Sequence, residues 1–155
     1  MRSAVDDTIE YIDHLAQQLE CYDPSFLILL VLMKLAIPTN YDGFEYLRVA
    51  ILFRYENPMS TMVNDIYPEI RAMYGRHITN EQIDTAIRGA IQAAWRRTDI
   101  HIWKLFFPTI LSARIKRPTN TEFIDELARI VELLCNCTEA YARQRCREEA
   151  DYGIK

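Results

Sequence analysis

Apolar residues recur along this chain at spacings of three and four, the period of a helix with one buried face, and no stretch needs a strand to explain it. Val5, Ile9, Ile12, Ala16 and Leu19 place such a stripe on residues 4–20, which predicts an amphipathic helix in need of a partner surface. Asp23-Pro24 ends it. The next helix, from about Ser25 to Ala36, is apolar nearly all round between Phe26 and Leu32 and suits the centre of a bundle. Ile37-Pro38-Thr39-Asn40 breaks the pattern, and Gly43 reads as part of the turn before a helix through Phe44, Leu47, Val49, Ala50, Ile51 and Leu52, which stops near Asn57-Pro58.

A short helix is expected over about Ser60 to Ile66, and Pro68 opens another that ends at Gly75, a C-terminal cap. Thr79 followed by Gln82 is a capping box, so a helix starts there. Its apolar stripe is Ile83, Ile87, Ala90, Ile91, Ala94 and Trp95; Glu81, Thr85, Arg88, Gln92 and Arg96 share another face, free to touch something else. A short helix over Ile102 to Phe107 follows, then a loop punctuated by Pro108 and Pro118. The last helix starts at about Thr119 or Asn120. Phe123, Leu127, Ile130, Leu134, Cys137 and Tyr141 run along it toward a charged tail, Arg143 to Asp151, a pattern that fits core packing or a helical dimer seam.

Composition agrees with an all-α fold: 155 residues, half of them hydrophobic, and only 4 glycines. The longest apolar run, Phe26 to Met33, falls well below the roughly 20 residues of a bilayer crossing. Asp6, Asp7 and Glu10 stand where a secretory signal would be basic, so a cytoplasmic location is expected. Cys21, Cys135, Cys137 and Cys146 lack paired CxxC spacing and read as thiols, and the Cys135/Cys137 pair points to two faces of a helix; no metal and no cofactor are expected. No enzyme emerges either, because His14, His77 and His101 are scattered and no phosphate loop or nucleophile context exists. Trp95 and Trp103 fit core or hinge packing better than a stacking platform for single strands.

Charge changes the picture. The net charge is −4, yet residues 71–117 carry 9 Lys/Arg against 3 Asp/Glu, while residues 1–70 carry 4 against 11. A basic block in an acidic chain is what a localised phosphate-binding face requires, since affinity for a polyanion follows local potential. The block overlaps two helices joined by a glycine-containing turn, Tyr67 to Gly75 and Thr79 to Arg97, the pattern of a helix-turn-helix. Helical hairpins of this kind also occur in bundles that bind no DNA.

Five blocks sharpen the reading: Gly43-Phe44-Glu45-Tyr46-Leu47-Arg48, Ile66-Tyr67-Pro68-Glu69-Ile70, Ala86-Ile87-Arg88-Gly89-Ala90-Ile91, Ala93-Ala94-Trp95 and Arg117-Pro118-Thr119-Asn120-Thr121-Glu122-Phe123. In order and spacing, over about residues 26–134, they resemble the C-terminal effector domain of stage-zero sporulation protein A, a regulator of endospore formation. The resemblance implies a compact bundle of about six helices holding a helix-turn-helix that binds promoter DNA through its second helix, often as tandem dimers. To this the chain adds an N-terminal helix in residues 1–24, a candidate dimerisation element, and a lengthened final helix in an effector-type region over 25–155. About 25 residues precede the resemblance, too few for the usual receiver domain, so aspartyl-phosphate control is expected to be absent from this chain.

By the same resemblance, bases are read by an acidic residue and two arginines, at positions that look like Asp84, Thr85 and Arg88 here, with Glu81 and Gly89 beside them. Arg88 keeps the fork that bridges guanine O6 and N7; Thr85 cannot make it. The family's phosphate-holding histidine and lysine are Asn40 and Asp42 here, and Asp42 would repel phosphate. Arg76, His77, Arg96, Arg97, Arg114, Lys116 and Arg117 are the candidate phosphate contacts. The expected partners are double-stranded promoter DNA, a second copy of the chain, and RNA polymerase or another regulator. The alternative is a protein-interaction module that keeps the fold, has lost DNA binding and modulates another regulator.

Overall fold

The computed structural model describes residues 2–97 and 99–153. Among them lie eight α-helices, one π-helical turn and no strand. The helices are α1 (Ala4–Gln18), α2 (Pro24–Lys34), α3 (Asp42–Glu56), α4 (Tyr67–Tyr74), α5 (Asn80–Arg97), α6 (Ile100–Phe106), α7 (Pro108–Ala113) and α8 (Asn120–Gly153), with the π-turn at Met62–Ile66. The fold is all-α as expected: a six-helix body, α2 to α7, flanked by an N-terminal helix and a long C-terminal one. α8 is the spine, and α1, α2, α3, α5 and α6 all pack against it.

The expected capping box at Thr79 forms, and a second one stands at Thr119. Thr79 accepts from the Gln82 N–H at 3.1 Å while Gln82 Oε1 takes the Thr79 N–H at 2.9 Å, and Thr119 and Glu122 repeat the exchange at 3.2 and 2.9 Å. They set where α5 and α8 begin. α2 stops two residues sooner than expected because Ala36 turns left-handed, with φ 62. The Ile37 N–H reaches Leu32 O and the Ala36 N–H reaches Met33 O, both at 3.0 Å, which is a Schellman closure built on alanine instead of glycine.

Four other expectations are corrected. Gly43 lies inside the first turn of α3, not before it. The short helix expected over Ser60 to Ile66 is a π-turn over Met62–Ile66: the Ile66 N–H bonds to Thr61 O at 3.1 Å, and the chain runs on into α4 without a break. α6 starts at Ile100 because Asp99 caps it, and the supposed loop after Phe107 holds α7, opened by Pro108 at its first position. The long final helix was expected, and it continues through the charged tail to Gly153.

The core is continuous. Trp103, Phe106, Phe107 and Phe123 are fully buried; Trp103 stacks on Phe107 with centroids 5.4 Å apart and takes the edge of Trp95 at 5.2 Å. Trp95 and Trp103 are therefore packing residues that join α5 and α6. On α1 the buried side is Thr8, Ile12, Leu15 and Ala16, so the expected stripe is rotated: Val5 and Ile9 remain 46% and 52% exposed. Thr8 explains the rotation, because its hydroxyl donates to Leu105 O at 2.7 Å and turns that polar position inward.

Candidate nucleic-acid interface

α5 carries the expected polar face. Ile83, Ile87, Ala90, Ile91 and Ala94 are buried, chiefly against α3, whereas Glu81, Thr85, Arg88 and Arg96 are exposed and Gln92 is half-buried. Positions 81, 85, 88, 92 and 96 follow spacings of four and three, so they line one side of the helix. Gly89 adjoins this face, and a Cβ on it would meet nothing within 4 Å.

Three joints hold α5 in place. At Gly43 the missing side chain admits α5: an ideal Cβ would fall 2.2 Å from Ala86 O and 2.9 Å from Ala90 Cβ. Only glycine permits that crossing. From α4, the Tyr67 hydroxyl donates to Asp84 Oδ1 at 3.2 Å, and Arg71 donates to Asn80 Oδ1. From the start of α8, Asn120 Nδ2 donates to Asp84 Oδ1 at 2.8 Å and to Asp84 O at 3.0 Å. Burial and then the Asp84 carboxylate push the Tyr67 phenol up to about 12, which keeps it a donor.

Asp84 is thus the hub. Its Oδ2 also takes the Arg88 guanidinium across one helical turn, the two side chains being 35% and 49% exposed. Neither Tyr67 nor Asn120 was a candidate site residue in the sequence. Both sit in the blocks that carried the resemblance, and the structure brings those blocks together: Gly43 onto Ala86, and Tyr67 and Asn120 onto Asp84.

The candidate phosphate contacts are dispersed around this helix. Arg76 and His77 stand exposed in the turn before α5, where Gly75 takes φ 144 and the His77 ring lies 2.7 Å from where a Cβ would be. Arg96 and Arg97 are exposed at its C-terminal end, about 12 Å along the axis from Arg88. Arg117 is half-buried and three residues before Asn120, which keeps it within about 11 Å of that joint. Lys116 is exposed beside it. Arg114 is set apart, lining a groove with Ala4, Lys104 and Leu111 on the α1, α6 and α7 side. Asn40 and Asp42 are both exposed at the start of α3.

Among the described residues, no group of His, Cys, Asp and Glu is arranged to hold a metal ion, and all four cysteines are free. No helix there is long and apolar enough to cross a membrane.

The short α4, the capped turn and the exposed face of α5 put the molecule in the class of helix-turn-helix bundles. Residues 28–131, two thirds of the chain, match the family model described as sporulation initiation factor Spo0A C terminal. The chain belongs to that family, a DNA-binding regulatory domain and not an enzyme family. The match runs from the second turn of α2 to about a third of the way along α8, so α1 and the distal two thirds of α8 lie outside it.

Proposed function

We propose that the chain is a sequence-specific transcription regulator that lays α5 in the major groove of double-stranded promoter DNA. One observation carries this: in a member of a DNA-binding family, the second helix of the helix-turn-helix presents an uncovered face centred on Arg88, held in place by three independent joints. In this reading Arg88 bridges guanine O6 and N7, and Glu81, Thr85 and Gly89 line the same groove. Arg76, His77, Arg96, Arg117 and Lys116 hold phosphates on either side, with Arg114 as an outlying contact. A second copy of the chain, and RNA polymerase or another regulator, are the protein partners that go with it.

The test is selection from a pool of random duplexes at two salt concentrations, with Arg88→Ala alongside. A motif that is enriched, weakened by salt and lost in the variant is the expected result. Absence of any enrichment would favour the interaction module, which Asp42 and Thr85 suit.

A further inference from the structure

We infer that Asp84 is a positioning residue that presets the Arg88 guanidinium for base recognition, an inference that rests on Arg88 being the base reader proposed above. The Asp84 carboxylate is engaged from three sides: the Tyr67 phenol at 3.2 Å, the Asn120 amide at 2.8 Å and the Arg88 guanidinium. Two of these donors come from other elements, α4 and the first turn of α8, so the carboxylate cannot swing outward without breaking joints that hold α5 to the bundle.

Arg88 is differently placed. A guanidinium has five N–H donors, and the contact with Asp84 runs through a terminal nitrogen, which leaves other donors for a guanine edge. Asp84 precedes Arg88 by four residues, the favourable order for an acid and a base on one helix. Holding the arginine in one rotamer before DNA arrives removes part of the entropy that a free side chain loses on binding. The ion pair also reduces the pull of Arg88 on any phosphate it passes, which weakens binding to the wrong sequence. Both effects raise selectivity more than affinity.

The test uses the full chain with two probes, the duplex enriched from the random pool and a scrambled duplex of equal length and composition. Asp84→Asn keeps an acceptor for Tyr67 and Asn120 and replaces the oxygen that meets Arg88 with an amide NH2, which removes the ion pair. The ratio of the two dissociation constants is expected to fall about three- to tenfold in Asp84→Asn, the scale set by freeing one rotamer-rich side chain. The salt slope on the scrambled duplex should steepen by about one. In an Arg88→Ala background Asp84→Asn should change the ratio no further, and Tyr67→Phe, which loosens the α4 joint but keeps the ion pair, should leave it intact. If Arg88→Ala lowers the ratio while Asp84→Asn does not, the positioning role is wrong and base reading by Arg88 stands. A fall that persists without Arg88, or that Tyr67→Phe reproduces, assigns Asp84 to direct base contact or to plain support of the helix, and overturns the inference. An Arg88→Ala protein that selects the same motif as the natural one removes the base reader, and the inference with it.

Discussion

Three glycines in this chain have three different causes, and the difference is informative. Gly43 is demanded by the carbonyl of Ala86, and Gly75 by its positive φ and the His77 ring beside it. Gly89 has no such cause: it stands in the middle of α5, where glycine costs about 0.5–1 kcal/mol relative to alanine, and a Cβ would find open space. If α5 lies in the major groove as proposed, DNA coming close to the backbone next to Arg88 would account for it. Gly89→Ala is therefore expected to raise the free energy of unfolding in urea by about 0.5–1 kcal/mol while weakening binding to the enriched duplex. A stabilised variant that binds as tightly as before would show that DNA does not come close to the backbone at 89.

At the scale of elements, the link between α4 and α5 titrates. The folded Tyr67 phenol sits at about 12 against an ordinary value of 10, so the native state holds a proton there that the unfolded chain releases earlier. The stability this contributes is fully present below pH 10 and is lost as pH rises from 10 toward 12. Urea midpoints should drop across that window, and less steeply in Tyr67→Phe, without vanishing there, since desolvation raises the Tyr11 and Tyr74 phenols as well. The start of α5 was legible in the sequence because Thr79 and Gln82 signal each other over three residues; the pair of Thr119 and Glu122 that starts α8 came to light only in the structure. α7 was not: six residues are too few for a period to show, and Pro108 reads equally as a loop or as a first helical position. The polar face of α5 could be read from spacing, yet the hub at Asp84 could not, since Tyr67 and Asn120 reach it from 17 and 36 residues away. Only the blocks of the family resemblance marked those two residues, and they did so without saying where they meet.

At the scale of the whole molecule, the two segments outside the family match hold each other. Tyr141 on the distal part of α8 donates to Asp13 at 2.6 Å and accepts from Gln17 at 3.1 Å, and Arg145 donates to Leu19 O at 3.0 Å, all on or just after α1. Beneath these bonds Ile12, Leu15 and Ala16 are buried against α8 of the same chain. The lengthened α8 thus supplies the surface that α1 needs, and α1 in turn braces α6 through the Thr8 bond to Leu105 O and packs on α7. A helix so engaged has only its outer side, Val5 and Ile9, left for another molecule. Two substitutions separate support from association: Ile12→Ala should cost about 2–4 kcal/mol of stability, whereas Ile9→Ala should stay within about 0.5 kcal/mol. Urea unfolding at two protein concentrations, with sedimentation of each variant, measures both roles at once. If Ile9→Ala lowers the midpoint only at high concentration and shifts the sedimenting species, α1 joins two copies of the chain; if Ile12→Ala alone matters, equally at both concentrations, α1 is an internal brace for α6, α7 and α8.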